Sequence, residues 1–342
     1  MRDLFEELSQ EIWGEPNYSK MYCDIANSKY ESGNYEHAII ACHQSLQINP
    51  NEYYAFYLQG RIYSFKEDYP LSIYYFSKAL KVKKTFYLFL QRGLSKYELE
   101  NYEDAIDDFK EAISLNPQYT PSYYFIAKCK YELENFAGAV LDLNSAIKLV
   151  EKQNRNGKYF NRMEEFFANS GDDLLYGLRG QCKYEMDYYK DAIQDFNEAI
   201  EIKSSNDKPN DLHLYHRAQC KFELEDNKGA LDDLNQSLKL CPGSYAFCLR
   251  AEIKIDIKDY QGAIEDFNKA IKISPNFYGY YQYRGECKLN LKQYKGAIED
   301  FNKAIEINPD NKESMNFKKQ CIQKLDSISD AFIKSISLKL SD

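Results

Sequence analysis

Small, apolar and aromatic residues fall on a fixed lattice along this chain. Ala26, Gly60, Gly93, Ala127, Gly180, Ala218, Ala251 and Gly285 mark one small slot. Twelve residues after each stands Ala38, Ser72, Ala105, Ala139, Ala192, Ala230, Ala263 or Ala297. Four further on come Cys42, Phe76, Phe109, Leu143, Phe196, Leu234, Phe267 and Phe301, and three beyond those Ser45, Ala79, Ala112, Ala146, Ala199, Ser237, Ala270 and Ala304. The second small slot recurs at steps of 34, 33, 34, 53, 38, 33 and 34 residues. Within a unit, Tyr281, Arg284, Gly285 and Lys288 share one helical face, and Ala297, Phe301 and Ala304 share another. Each unit therefore predicts two helices of roughly 13 residues around a Gly/Asn/Asp turn, and the period predicts stacked helical hairpins. Small slots let the paired helices approach, and the bulky slot fills the space between hairpins. Pro50, Pro117, Pro242, Pro275 and Pro309 follow the last small slot by five residues, where proline stops a helix.

The stretch Tyr294-Lys-Gly-Ala-Ile-Glu-Asp-Phe-Asn-Lys-Ala-Ile-Glu-Ile-Asn-Pro309 resembles the second helix of a tetratricopeptide repeat, and eight copies run in phase over residues 18 to 310. The resemblance implies an all-α, right-handed superhelical solenoid of antiparallel helix pairs, the first helix of each pair lining a concave groove. It implies protein or peptide recognition and scaffolding. The expected organisation is a capping helix at 1–17 and a single solenoid over 18–310. Its repeats fall near 18–50, 51–84, 85–117, 118–150, 173–206, 211–242, 243–275 and 276–309. An insertion occupies 151–172, and a capping helix and tail 311–342.

Composition narrows the function. A net charge of −9 argues against nucleic acid, which needs a basic surface; a local basic patch stays open, although no Lys/Arg cluster supports it. No apolar run is long enough to span a bilayer, and Met1-Arg-Asp-Leu-Phe-Glu-Glu is too acidic for a secretory signal, so the expectation is a cytoplasmic chain with no membrane partner. Among the nine cysteines there is no CxxC pair. Cys129, Cys182, Cys220 and Cys287 fall two residues after a small slot and read as small buried hydrophobes in a reducing compartment. His213, His216 and Cys220 lie at i, i+3 and i+7, a set that suits a metal, but Cys220 fills a packing slot and no fourth ligand is evident. The expectation is no metal and no cofactor. Phosphate-loop, HExxH, GxSxG and GxGxxG signatures are absent, and the Asp107/Asp108, Asp232/Asp233 and Glu265/Asp266 pairs recur at equivalent places as a solvated helix face. No catalytic residue is assigned.

One charge pattern predicts structure. Arg92, Arg179, Arg217, Arg250 and Arg284 precede a small slot, and sixteen residues later stand Asp108, Asp195, Asp233, Asp266 and Asp300. The first two units have Ile25 and Gln59 without the aspartate, and the fourth has Ile126 with Asp142. Arg–Asp bridges within or between hairpins are expected.

Function is expected in the groove. Slots six and three before, one after and four after the small residue give the candidate binding residues Lys20, Asn27, Tyr54, Tyr57, Arg61, Tyr87, Tyr97, Tyr124, Lys128, Tyr131, Tyr184, Tyr215, Tyr245, Glu252 and Glu286. The same slots also take in Cys23, Tyr30 and Leu90. A solvent-lined concave surface gives tyrosine no core role, so tyrosine there reads as recognition surface. Lys20, Arg61 and Lys128 against Glu252 and Glu286 suggest an extended peptide, acidic toward the first four repeats and neutral or basic toward the last. Family members that grip acidic carboxy-termini of heat-shock chaperones use Lys and Asn on one first helix, Asn on the next, and Lys and Arg on the third. Only Asn27 fits here, which argues against that role. Tyr159, Met163, Phe166 and Phe167 in the insertion form an apolar stripe, read equally as packing helix or as lid. Leu325, Ile328, Phe332, Ile336 and Leu340 form a terminal stripe that caps the last repeat or makes a dimer. The reading is a non-enzymatic scaffold for a protein segment or peptide. The alternatives are a sensor for a small peptide signal and a structural oligomer assembled through the C-terminal helix.

Overall fold

The computed structural model describes residues 17–155, 172–204 and 211–339, and among them it is 17 α-helices with no strand. The chain divides into two units, 1–167 and 168–342. The first holds α1 (Tyr18–Glu31), α2 (Tyr35–Ile48), α3 (Tyr53–Phe65), α4 (Tyr69–Val82), α5 (Phe86–Glu98), α6 (Tyr102–Leu115), α7 (Thr120–Glu132) and α8 (Phe136–Arg155). The second holds α9 (Asp172–Glu185), α10 (Tyr189–Ser204), α11 (Asp211–Glu223), α12 (Asn227–Leu240), α13 (Ser244–Asp256), α14 (Tyr260–Ile273), α15 (Tyr278–Asn290), α16 (Tyr294–Ile307) and α17 (Lys312–Lys339). Within each unit, odd and following even helices pair as hairpins, and each hairpin packs on the next. The amino-terminal cap at Leu4, Leu8 and Ile12, the insertion stripe, and the side chains of Phe332, Ile336 and Leu340 lie outside the described residues.

The small slots do what their size permits. A Cβ built on Gly60, Gly93, Gly180 or Gly285 would stand 2.6 to 2.9 Å from the ring of Phe76, Phe109, Phe196 or Phe301, sixteen residues on in the same hairpin. Where the slot holds Ala26, Ala127 or Ala218, the partner shrinks to Cys42, Leu143 or Leu234; Ala251 with Phe267 is the exception. These phenylalanines are fully buried. Their other face meets the next hairpin: Phe109 stacks on Phe125, Phe196 on His216, Phe267 on Tyr283 and Phe301 on Phe317, with centroids 5.6 to 6.0 Å apart. The last of these partners shows that α17 runs in register as a ninth first helix, with buried Cys321 thirty-four residues after Cys287.

Turns inside the hairpins depart from expectation. The residue seven after the small slot is left-handed in all eight hairpins, but only Gly33 is glycine; the others are Glu67, Glu100, Glu134, Asp187, Glu225, Lys258 and Lys292. In six hairpins an Asn or Asp lies one residue later, and in five of these it caps the following helix. Asn34, Asp68, Asn135, Asp226 and Asp259 accept the backbone N–H of the third residue beyond. The five prolines each fall two residues beyond a helix end.

The Arg–Asp bridges form, and they do both jobs. Each arginine donates Nε and Nη2 to the two oxygens of its aspartate across its own hairpin, at 2.5 to 3.0 Å. In four repeats Nη1 reaches back to Ser77, Asn197, Asn235 or Asn268 on the preceding hairpin's second helix where described. The predicted pair has a third member. Lys96, Lys183, Lys221, Lys254 and Lys288, one turn after the arginines, pair with the same carboxylates at 2.8 to 2.9 Å. This also explains the fourth hairpin, where Lys130 holds Asp142 at 2.5 Å without an arginine. The second hairpin replaces the triad by Tyr63 stacked on Tyr75 at 5.3 Å, leaving Gln59 fully buried with neither amide atom hydrogen-bonded.

Candidate peptide-binding faces

In the first unit the first helices α1, α3, α5 and α7 are successive neighbours. Their side chains meet around one cation. The Arg61 guanidinium lies 4.6 Å over the ring of Tyr30, from the preceding repeat, and 5.7 Å from that of Tyr57. Tyr57 packs at 5.5 Å on Tyr54 and at 5.6 Å on Tyr87 from the following repeat, and the Tyr54 hydroxyl donates to Asn27 Oδ1 at 3.1 Å. Burial works against the charge on Arg61, yet the surrounding Tyr57 and Tyr30 outweigh it and hold its pKa above the ordinary value. Burial also pushes the hydroxyls of Tyr30, Tyr54 and Tyr57 up. Among the described residues no carboxylate pairs with Arg61. A cage of this kind holds a guanidinium through ring quadrupoles while leaving its strongest valence, to an anion, unfilled.

A second cation sits further along the same unit. Lys128 Nζ lies 4.7 Å over Tyr97, whose hydroxyl donates to Glu132 at 3.4 Å, and burial raises the Tyr97 pKa. Tyr124 and Tyr131 are half-buried on α7, edge-on to Phe125 and Phe136. Lys20 stands exposed near the start of α1 and does not join the cage.

In the second unit the polarity reverses. Glu252 accepts from Cys248 Sγ at 3.2 Å, and Glu286 from Gln282 Nε2 at 3.1 Å. Burial raises the pKa of both carboxyls, and Glu313 on α17 adds to the rise at Glu286. Gln282 also donates to Glu313 at 2.8 Å and accepts from Asn311 at 2.8 Å, so α17 supplies a carboxylate to this face. Carrying the repeat register one step past the eighth unit places Glu313 six residues before Lys319, which stands where the earlier units have their small residue. Burial pushes the Tyr215 hydroxyl up to about 12, helped by Glu252. Tyr184 donates to Glu223 at 3.5 Å, and Tyr245 is the most open of the tyrosines named, 72% exposed.

One expectation needs correction. The slot three before the small residue does not face an open groove throughout: Cys23 and Leu90 are buried, and Tyr57 is 9% exposed. That position points at the neighbouring first helix, so tyrosine here has a packing role as well as an exposed edge. The residues of the His213–His216–Cys220 row turn to separate partners. His213 pairs with buried Asp173 at 3.2 Å, His216 turns to Gln181 and Gln219, and Cys220 is packed in the core. Burial pushes the thiols of Cys129, Cys182, Cys220 and Cys287 up to about 12, well away from reactive thiolate behaviour. Among the described residues no three His, Cys, Asp or Glu side chains are placed to hold a metal, and no helix is long and apolar enough to cross a membrane.

The class defined by this geometry is an all-α helical repeat solenoid, and comparison with known proteins agrees. Tetratricopeptide repeat family models match residues 19–52, 87–119 and 175–206. A family described as Regulator of microtubule dynamics protein 1-3 matches residues 254–329. The fold is similar to the crystal structure of the APC/C hetero-tetramer Cut9-Hcn1, with TM-score 0.55 and 15% identity over 92% of this chain and 58% of that one. It is also similar to a tetratricopeptide repeat protein of Parabacteroides merdae, with TM-score 0.54 and 18% identity over 80% of this chain and 100% of that one. For pilF of Pseudomonas aeruginosa the values are 0.52 and 18%, over 70% and 97%. No curated protein matches. The chain is a tetratricopeptide repeat protein. Proteins of this kind generally act as non-enzymatic scaffolds that bind other proteins or peptides.

Proposed function

We propose that this protein is a scaffold that holds an extended segment of a partner along the first-helix face of its amino-terminal unit, with a ligand carboxylate on Arg61. The observation that supports the reading is the Arg61 cage: a half-buried guanidinium over Tyr30 and beside Tyr57, with no carboxylate partner among the described residues. Elsewhere in the chain, half-buried arginines at the repeat junctions are matched to aspartates. An Asp, Glu or carboxy-terminus of a ligand supplies the missing anion. Tyr54 and Tyr87 offer broad contact at small rotamer cost, and Lys128 over Tyr97 provides a second anion contact one repeat beyond Tyr87. The half-buried Glu252 and Glu286 of the other unit suit a neutral or cationic segment.

The test is a random-peptide array probed with wild type, Arg61→Glu and Lys128→Glu, each checked for an unchanged melting curve. The reading expects selected peptides rich in Asp and Glu, bound at least about tenfold more weakly by Arg61→Glu. Equal selection and affinity in all three proteins would remove the groove from consideration. A sensor for a small peptide signal predicts full affinity from only a few residues of each selected peptide. Assembly through α17 predicts a mass that rises with concentration and falls when Ile328 is replaced by Glu.

A further inference from the structure

The stretch from Tyr69 to Tyr97 contains no Asp or Glu, in a chain with 53 of them, and four of its five lysines fall on α4 or just past its end. On α4, Leu71, Tyr74, Lys78 and Lys81 follow at i, i+3, i+7 and i+10 and so share the outward flank, with Lys83 and Lys84 just past its end. Tyr74 is 50% exposed and Leu71 37%, while Lys81, Lys83 and Lys84 are exposed. Lys78 Nζ lies 4.6 Å over Tyr74, and Lys83 Nζ 4.6 Å over Tyr53. None of the four lysines has a carboxylate partner among the described residues. Ring faces thus hold the amino groups in place, while apolar surface lies open between them.

This surface is not the groove. Lys78 also lies 5.5 Å over Phe56, which stands roughly 130° round α3 from the flank shared by Tyr54, Tyr57 and Arg61. We infer that the α4 flank is a second docking surface, for an acidic amphipathic helix of a partner protein. The helix lies along α4 with its carboxylates on Lys78, Lys81, Lys83 and Lys84 and its apolar edge on Leu71 and Tyr74.

The next hairpin narrows the choice of occupant, because its second helix α6 exposes Asp104, Asp107 and Glu111. A flat anionic bilayer, or a duplex of nucleic acid, spans more than one hairpin and meets those carboxylates too. A single helix confined to α4 does not. With a groove on one flank and this strip on another, the chain has two places for two different segments, which is what an adaptor requires.

The experiment uses the full chain and a fluorescein-labelled peptide of about 18 residues with Glu and Leu on opposite faces of an α-helix, read by anisotropy. Binding is expected to weaken as salt rises. Lys81→Glu/Lys84→Glu is expected to lower affinity at least about tenfold, and the charge-matched control Lys239→Glu/Lys272→Glu, at exposed lysines of the second unit, to leave it within about twofold. The substituted lysines are all exposed, so folding is preserved. The inference is overturned by absence of binding, by equal affinity in the Lys81→Glu/Lys84→Glu variant, or by loss in Arg61→Glu alone, which would put this peptide in the groove. It is also overturned if phosphatidylserine vesicles or single-stranded DNA bind through these lysines and the peptide does not. Because Arg61 belongs to the groove and Lys81 and Lys84 to the strip, the two readings fail separately.

Discussion

Arg250 grips Asp266 through two hydrogen bonds, 2.8 Å from Nε and 2.5 Å from Nη2, and Lys254 reaches the same carboxylate at 2.8 Å. Asp266 is 1% exposed, and the Nη1 of Arg250 continues to Asn235 on the preceding hairpin. One buried carboxylate therefore joins two helices of one repeat, and the guanidinium joins that repeat to the one before.

Removing the arginine leaves a buried acid with a single cation. Arg250→Met is expected to lower stability by about 2 kcal/mol, less than for complete loss of a buried pair because Lys254 remains. Burial by itself would raise the Asp266 pKa, but Arg250 and Lys254 bring it below the ordinary carboxylate value. Its contribution is thus full above the unfolded-state pKa and disappears as pH falls through the lower folded-state one. Thermal melts of wild type and Asp266→Asn should differ at neutral pH and converge in strong acid.

Gln59 occupies the arginine slot of the second hairpin with no partner for either amide atom. Gln59→Met keeps the volume and removes two buried polar atoms, so it should raise stability by about 1 kcal/mol. A lower melting temperature would show that the amide has a partner in solution.

Gly93 is set against Phe109, whose ring an added Cβ would meet at 2.7 Å. Gly93→Ala should destabilise by about 2 kcal/mol through overpacking. The chain itself shows the remedy, because Ala127 is paired with Leu143 and Ala218 with Leu234. Phe109→Leu in the same molecule should recover part of the loss, visible as a favourable coupling in a double-mutant cycle.

Glu252 and Glu286 have raised pKa values because burial disfavours their charge. The folded protein therefore holds protons that the unfolded chain releases, and stability falls as pH rises through that window above the ordinary glutamate value. Glu252→Gln should melt at a higher temperature than wild type at neutral pH, with the gain fading as pH falls toward 4.5, the ordinary value. A constant difference across pH would argue against buried ionisation as its cause.

Gly93 and Phe109, or Arg250 and Asp266, were legible because each contact repeats at fixed spacing and tandem copies expose the pairing. Lys254 was equally periodic but was masked by the many lysines on solvated helix faces. The left-handed Glu100 carries no local signal, since glutamate has no preference for that conformation and only the hairpin forces it there. The candidate site was less legible than the fold. Tyr30, Arg61 and Tyr87 come from three different repeats, and the slot rule that placed them on one face did not show that Tyr57 fills the space between their helices. Spacing along one helix fixes direction; it does not fix the distance to a neighbour.

The groove is tested most directly by hydrogen exchange of the full chain with and without an acidic peptide selected on the array. The account predicts slowed exchange in the first helices α1, α3 and α5 around Arg61, absent in Arg61→Glu. Protection confined to second helices, or unchanged by Arg61→Glu, would contradict it.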